Sequence, residues 1–279
     1  MEIIDAHHHL WERGRFRYSW LRGFPALDRD YLLHDFEQVA RECGVARSVF
    51  VQADTDPAFG LQETKWALSL AQAGPTIAGV VGWAPVGADD LEDFLEKLGT
   101  HPLLKGVRRL IQGEPDPDFC TRPGFVAGVR CLAQRGLSFD LCVYHRQLPA
   151  VIRLVRQVPE ASFVLDHAGK PGIATGQIEP WKSHIRELAG LENVVCKVSG
   201  MVTEAEWGTW KAADLRPYLE QVVQAFGFGR VMFGSDWPVS TLAADYRRWL
   251  ETVQEAVRDA TSREQEQLFS GTATRFYRL

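Results

Sequence analysis

Residues 3–11 read Ile-Ile-Asp-Ala-His-His-His-Leu-Trp, an apolar strand-like run that ends in three histidines. A doubly wound nucleotide-binding sheet carries a glycine-rich turn after its first strand, so the histidines argue against that fold. Side chains alternate along a strand, which places His7 and His9 on one side and His8 on the other. Two imidazoles that converge from one strand suit a divalent metal ion or a tightly held water.

Further strand-like runs alternate with helical stretches along the rest of the chain. The predicted strands are Glu2–His7, Ser48–Ala53, Ile77–Ala84, Gly106–Ile111, Ser138–Val143, Ser162–Asp166, Val194–Val198 and Arg230–Phe233. The predicted helices are Leu33–Cys43, Gln62–Ala73, Leu91–Leu98, Phe125–Arg135, Leu148–Val158, Pro180–Leu188, Leu215–Phe226 and Ala243–Ala260, followed by a C-terminal segment Ser262–Tyr277. Polar residues cluster at the C-terminal ends of several strands, where barrel enzymes collect their catalytic groups. The pattern predicts an α/β fold, a (β/α)8 TIM barrel formed as a single domain over residues 1–279.

The composition argues against several classes of protein. A formal net charge of −5 and a pI near 5.9 provide no basic field for a nucleic-acid backbone. No run approaches the roughly 20 apolar residues that span a bilayer, and the N-terminus lacks the pattern of a signal peptide. The five cysteines are scattered and form no CxxC pair, as in proteins with reduced thiols. We therefore expect a cytoplasmic protein with no nucleic-acid or membrane partner.

Two further motifs place polar groups at strand ends. Asp166 and His167 end an apolar run, and Asp236 follows the run at 231–233, between a Gly-Ser turn and Trp-Pro. By itself the Asp-His pair can be a local salt bridge or a capping turn, and Asp236 can be a helix N-cap. Beside imidazoles and a held water, Asp236 would instead be the general base, because a carboxylate close to a cation stays ionised at neutral pH.

The segment 11–31 is rich in aromatic and basic residues and directly follows the first strand. A long loop in this position covers the top of a barrel. We interpret it as a substrate-facing lid or wall, with a packed surface excursion as the alternative.

Taken together, the motifs resemble the amidohydrolase superfamily, and within it the branch of metal-dependent hydrolases that contains sugar-acid lactonases. The resemblance runs nearly end to end and is carried by Ile4–Trp11, Gly106–Arg108, Leu165–Pro171, Cys196–Gly200, Phe233–Pro238 and Gly271–Tyr277. It implies hydrolysis of a small sugar-acid lactone such as L-fuconolactone or L-rhamnonolactone. The oligomeric state stays open, a homo-oligomer included.

The resemblance also implies roles for the motif residues. His7, His9, His167 and Asp236 would form the metal site, with His167 and Asp236 catalytic and Asp236 activating the water that attacks the lactone carbonyl. Two-metal members of the superfamily place a bridging lysine or glutamate at the end of strand four, where this chain has Arg108. The resemblance therefore implies one divalent metal ion, zinc, or a water held by the same side chains without metal.

Arg108 is the preferred group for the lactone carbonyl or a substrate carboxylate, because a guanidinium offers a planar fork of donors. A salt bridge at the barrel rim is the alternative. The other predicted substrate-binding residues, each of which could also belong to the core, are Gln52, Trp83, Tyr144, Trp237 and Lys170. Lys197 lies within a strand, so we expect a buried structural partner for it. Roles for His145 and Lys197 in the chemistry stay open.

Two other functions are compatible with the same sequence. The barrel could catalyse non-oxidative decarboxylation of an unsaturated or aromatic acid, which releases carbon dioxide. It could also be a catalytically inactive binding protein, although degenerate sites tend to lose groups such as His7, His9, His167 and Asp236.

Overall fold

Eight parallel strands pair in chain order, from β1 beside β2 to β7 beside β8, in the computed structural model, which describes residues 2–279. The strands are β1 (Ile3–His8), β2 (Val45–Val51), β3 (Ile77–Gly82), β4 (Leu104–Arg108), β5 (Ser138–Leu141), β6 (Phe163–Leu165), β7 (Val194–Val198) and β8 (Val231–Phe233). Each predicted strand is present, and the predicted (β/α)8 TIM barrel is confirmed.

The first and last strands meet through the residues that follow β8. The Asp236 N–H donates to the His7 carbonyl at 2.8 Å, and the His9 N–H donates to the Trp237 carbonyl at 2.7 Å. On the other side of β1, His8 points into the packing of the first helix, as the alternation predicted. The closure brings the first and third sequence motifs to one rim of the barrel, at the C-terminal ends of the strands.

Helices cover the outside of the barrel. They are α1 (Leu33–Glu42), α2 (Gly60–Ala73), α3 (Leu91–Leu98), α4 (Pro123–Gln134), α5 (Leu148–Gln157), α6 (Trp181–Ala189), α7 (Ala212–Phe226), α8 (Tyr246–Ala256), α9 (Ser262–Glu266) and α10 (Thr272–Tyr277). The helix predicted over Ala243–Ala260 is shorter than expected. Its start is fixed by Asp245, whose side chain accepts from the Arg248 N–H at 2.7 Å and caps the first turn.

Strand β4 also differs from the prediction. The apolar residues Leu110 and Ile111 extended the predicted strand, whereas the observed strand ends at Arg108. Beyond it the chain forms a loop in which the Ile111 N–H donates to the carbonyl of Cys142 at 3.1 Å. Arg108 therefore lies at the strand end, at the mouth of the barrel.

Small apolar side chains fill the interior of the barrel. They are Ile4, Ala6, Val49, Val51, Val81, Val164, Val195 and Met232. Tyr277 of α10 joins this cluster from the end at which the strands begin, where the Lys105 Nζ atom donates to the Arg278 carbonyl at 2.9 Å. The C-terminal helix thus closes that end, and the opposite rim is left for the site. In the part of the chain that the structure describes, every helix is too short or too polar to cross a lipid bilayer.

Candidate active site

The side chains predicted as metal ligands meet at the C-terminal rim of the barrel. His7 and His9 come from the end of β1, His167 from the turn after β6, and Asp236 from the segment after β8. The Asp236 Oδ1 atom lies 3.2 Å from His9 Nε2, 3.7 Å from His7 Nε2 and 4.0 Å from His167 Nε2. Three motifs that are far apart in sequence thus converge on one carboxylate oxygen.

The hydrogen bonds of the two β1 histidines leave lone pairs facing that oxygen. His9 Nδ1 lies 2.7 Å from the Val51 carbonyl, which can only accept, so Nδ1 carries the proton and Nε2 the lone pair. His7 Nδ1 lies 3.3 Å from Asp166 Oδ1 and 3.3 Å from Lys197 Nζ. His7 Nε2 lies 3.3 Å from Arg108 Nη1, which can only donate, so Nε2 carries the lone pair, and burial holds the pKa of His7 well below its usual value. The Nε2 atoms of His7 and His9 are 3.2 Å apart beside the Asp236 carboxylate. Lone pairs this close are satisfied by a cation between them.

The distances between these atoms suit a zinc-like ion. Ligand atoms about 2.0–2.1 Å from a tetrahedral zinc lie about 3.3 Å from one another. His7 Nε2, His9 Nε2 and Asp236 Oδ1 are separated by 3.2–3.7 Å. Neutral imidazoles with one carboxylate are also a usual donor set for such ions. The residues present therefore fit one divalent cation.

A second possible ligand set, made of His7, Asp166 and His167, is already engaged. Asp166 lies 3.1 Å from Lys197 Nζ through Oδ1 and 3.3 Å from Arg108 Nη1 through Oδ2. A divalent ion at this carboxylate would meet two positive charges at short range. The geometry thus favours the set around Asp236 over the set around Asp166.

Lys197 is fully buried on β7 and is paired, as the sequence predicted. Its Nζ atom lies 2.6 Å from Asp140 Oδ2 and 3.3 Å from His7 Nδ1, and Tyr277 donates to Asp140 Oδ2 at 3.0 Å. Burial would raise the pKa of Asp166, but Lys197 and His7 hold it well below its usual range. These groups form a buried network directly beneath the histidines, and it fixes the orientation of the His7 ring.

The turn after β6 is left-handed over four consecutive residues, His167–Lys170, with φ values of 53°, 51°, 69° and 48°. Non-glycine residues rarely adopt this conformation, and such strain is concentrated at functional sites. The turn brings His167 Nε2 toward Asp236 while Nδ1 lies 2.9 Å from Ser199 Oγ. His145, a possible ligand from the sequence, lies outside the cluster, with Nδ1 2.9 Å from the Lys170 carbonyl.

Gly200 follows β7 and passes close behind the site. Its φ is 58°, and a Cβ there would lie 2.5 Å from His167 Nδ1 and 2.7 Å from Asp236 Oδ2. Such distances are shorter than any normal contact, so a side chain would displace one of the two groups. The conformation and the close approach together require glycine.

The electrostatics keep Asp236 ionised and His167 neutral. Burial alone would raise the pKa of the Asp236 carboxyl, but His167, His9 and His7 hold it below its usual range. Burial lowers the pKa of His167 to about 4, against the opposing effect of Asp236. At neutral pH the site therefore offers an ionised carboxylate beside a neutral imidazole, which is the state that metal binding or proton abstraction requires.

A cavity of about 340 Å³ opens above the cluster. Three of the predicted substrate-binding residues, Arg108, Tyr144 and Lys170, belong to its wall. Lys170 Nζ lies 3.7 Å from Glu204 Oε1 and 5.3 Å from the centroid of the Tyr144 ring. The wall also includes Trp20 and Phe24 of the 11–31 segment, which agrees with its interpretation as a substrate-facing wall.

Gln52, Trp83 and Trp237 were predicted to bind substrate, but they do not line the cavity as residues 2–279 form it. Gln52 is fully buried, and its Oε1 accepts from the Asp54 N–H at 2.5 Å. Its side chain therefore supports the backbone of the following loop. Trp83 packs edge-on against a phenylalanine of α3. Trp237 is buried among aromatic rings of the 11–31 segment and α1. The structure thus places these three side chains away from the cavity wall, and their substrate-binding role stays a prediction.

Asp54, Asp140 and Glu204 are not among the predicted site residues. The pairing of Asp140 could have been predicted. A carboxylate inside an apolar strand needs a buried partner, and Lys197 lies inside another strand. No such signal exists for Asp54 and Glu204, because each lies outside the strands and α-helices, close to another acidic residue, and only the fold shows which of them lines the cavity.

Comparison with known proteins gives consistent matches over the full length. The chain matches the model of a family described as amidohydrolase over residues 4–279. It is 38% identical over 295 residues to an L-fucono-1,5-lactonase of Burkholderia multivorans, covering 99% of this chain and 96% of the relative. An L-fucono-1,5-lactonase of Burkholderia ambifaria is 34% identical over 288 residues, covering 99% and 95%. A crystal structure of an amidohydrolase from Burkholderia multivorans with bound zinc has a TM-score of 0.90, 35% identity and complete coverage of both chains.

Proposed function

This chain belongs to the amidohydrolase family, and on that premise we propose that it hydrolyses a small sugar-acid lactone such as L-fuconolactone or L-rhamnonolactone. The observation that carries the proposal is the convergence of His7, His9, His167 and Asp236 beside one cavity, which the last three line. A cavity of about 340 Å³ falls in the lower range of small-ligand sites. Two lactonases that align with nearly the whole chain support this substrate class.

We assign one divalent ion, zinc, to the same centre. His7 Nε2, His9 Nε2 and Asp236 Oδ1 would hold it, and His167 Nε2 would be a fourth donor. When bound, such an ion supplies Lewis-acid chemistry at an ester carbonyl. The lone pairs that face one another support the assignment, as does the zinc in the related structure.

Asp236 is the proposed base for the attacking water. In lactone hydrolysis the water oxygen bonds to the carbonyl carbon and the bond from that carbon to the ring oxygen breaks. Asp236, ionised at neutral pH, accepts the proton that the water gives up and passes it to the departing ring oxygen, which leaves as an alcohol. The new carboxylic acid then dissociates, so each turnover releases one proton to the solution.

Lys170 is the better candidate for binding the lactone oxygens. Arg108 is buried; its Nη1 lies 3.3 Å from Asp166 Oδ2 and 3.3 Å from His7 Nε2, and its Nη2 donates to the Gln52 carbonyl at 2.5 Å. Lys170 has one long ion pair, with Glu204, and its ammonium keeps donors for a ligand in the cavity. We therefore assign the lactone carbonyl or hydroxyls to Lys170, and to Arg108 the positioning of Asp166 and His7.

A pH-indicator assay of the purified protein against a panel of aldonolactones tests the proposal. We expect acid release above the spontaneous rate for at least one lactone, and a fall of about 10²- to 10⁴-fold in Asp236→Asn with an unchanged circular dichroism spectrum. Near-normal turnover in that variant would remove the base assignment. Carbon dioxide release from an unsaturated acid, without lactone hydrolysis, would favour the decarboxylase, and silence in both assays would favour a binding protein.

A further inference from the structure

Asp54 is a strained residue that faces the cavity. It lies just beyond β2 with a φ of 55°, in the left-handed region that non-glycine residues rarely adopt. Its side chain lines the same cavity as His9, His167 and Asp236. Asp54 lies outside the strand-end motifs, and the proposed hydrolysis does not use its side chain.

Buried groups hold the backbone around Asp54 on both sides. Its own N–H donates to Gln52 Oε1 at 2.5 Å, and the N–H of the preceding Ala53 donates to Glu63 Oε1 at 3.1 Å. The Ala53 carbonyl accepts from Trp20 Nε1 at 2.9 Å. Gln52 and Glu63 are both fully buried, and a side-chain oxygen of each accepts a hydrogen bond from the backbone of this segment. A strained conformation persists only when its surroundings over-determine it, as they do here.

The Asp54 carboxylate itself is not engaged. Within residues 2–279 the hydrogen bond of Asp54 is made by its backbone, and its carboxylate forms no ion pair. Glu204, the other acid on the outer wall, is paired with Lys170 at 3.7 Å. Asp54 lines one cavity together with Arg108 and Asp236, so its side chain shares that space with the reaction centre.

We propose that Asp54 is a specificity-determining residue, whose carboxylate accepts hydrogen bonds from the hydroxyl groups of the substrate. This inference rests on the proposed lactonase function and deepens it. The two oxygens of a carboxylate can accept hydrogen bonds from two neighbouring hydroxyls of a sugar ring. A lactone ring without hydroxyls has nothing to donate to it. Asp54 thus separates polyhydroxylated lactones from plain ones without taking part in bond breaking.

Asp54→Gly is the informative variant, because glycine adopts a φ of 55° without strain and the carboxylate alone is lost. Two substrates are compared, L-fuconolactone and the unsubstituted δ-valerolactone. We expect kcat/KM for L-fuconolactone to fall about 10- to 100-fold, the range for a hydrogen bond to a charged group. For δ-valerolactone we expect a change of less than about twofold. Asp259→Gly, which removes a side chain that is 87% exposed, is the control and should change neither value.

The selective loss on the hydroxylated lactone would support the proposal. An equal loss on both lactones would assign Asp54 to the reaction centre or to folding, and no loss on either would leave it without a role, so both results overturn the proposal. If the wild-type protein hydrolyses neither lactone, the lactonase function itself fails. In that case the role of Asp54 is tested by calorimetric binding of L-fuconolactone to the wild type and to Asp54→Gly. Weaker binding to the variant supports hydroxyl recognition, and equal binding to both proteins, or no binding to either, refutes it.

Discussion

Glu63 makes the stability of this barrel depend on pH in a direction that can be calculated. It is fully buried on α2, where Oε1 accepts from the Ala53 N–H and Oε2 has no hydrogen-bond partner among the described residues. Burial raises the pKa of Glu63 to about 8, from an ordinary value of 4.5. The native protein therefore keeps a proton on Glu63 that the unfolded chain loses. Glu63→Gln replaces it with a neutral side chain of the same shape at every pH.

The size of the effect follows from proton linkage. Between pH 4.5 and about 8 the native state binds one more proton at Glu63 than the unfolded state, so wild-type stability falls as pH rises. The slope is about 1.4 kcal/mol per pH unit, and over the whole interval the loss is roughly 5 kcal/mol. The Gln variant lacks this term. Relative to Glu63→Gln, the wild type therefore loses roughly 5 kcal/mol of stability between pH 4.5 and about pH 8.

Urea denaturation followed by tryptophan fluorescence at pH 5, 6, 7, 8 and 9 measures the difference between the two proteins. Every other titrating group cancels in that difference, because both proteins carry it. Glu160→Gln, at a side chain that is 51% exposed, is the control and should give a difference that changes little with pH. A difference between the wild type and Glu63→Gln that is flat from pH 5 to pH 8, or that grows in favour of the wild type, would refute the reasoning.

Three other changes probe the site and its supports. Gly200→Ala should lower the free energy of unfolding by about 1–2 kcal/mol because of the left-handed conformation alone, as thermal unfolding will measure. It should also lower kcat, measured by the indicator assay, because the new Cβ would displace His167 or Asp236. Lys197→Met should destabilise the protein by about 3–5 kcal/mol, seen as a lower urea midpoint, because it leaves buried carboxylates without their cation. His7→Ala should lower zinc content and rate together, measured by metal analysis and the indicator assay, and unchanged zinc content would contradict the ligand assignment.

Much of the fold was readable because the strands of a parallel barrel are buried on both faces. Each strand appears as a short apolar run, and in the helices between them the apolar residues recur at helical spacing. Where the boundaries were wrong, apolar loop residues imitated a strand. Leu110 and Ile111 extended the predicted fourth strand, yet in the structure the ladder ends at Arg108. An apolar run does not reveal where its backbone stops pairing with a neighbour.

The site was predictable where its residues lie in strand-end motifs, and less so where long-range contacts decide. His7, His9, His167 and Asp236 are brought together by the closure of the barrel, which the motifs implied. The support of Asp140 by Tyr277 joins residues that are 137 positions apart, and no local pattern signals it. Gln52, Trp83 and Trp237 lie outside the cavity wall for a related reason, since their side chains contact residues of neighbouring segments.

Charge balance explains why neighbouring residues of one motif differ in role. Asp166 ends β6 and turns into the barrel, where Lys197 and Arg108 neutralise it, whereas the left-handed backbone at 167 turns the next side chain toward Asp236. Burial raises the pKa of Asp140 to about 6, so at neutral pH it too is ionised, and the two buried carboxylates match the two buried cations. The network beneath the site is therefore close to neutral. Asp236 is left as the negative charge beside the histidine lone pairs, so a divalent cation is attracted to its oxygen rather than to Asp166.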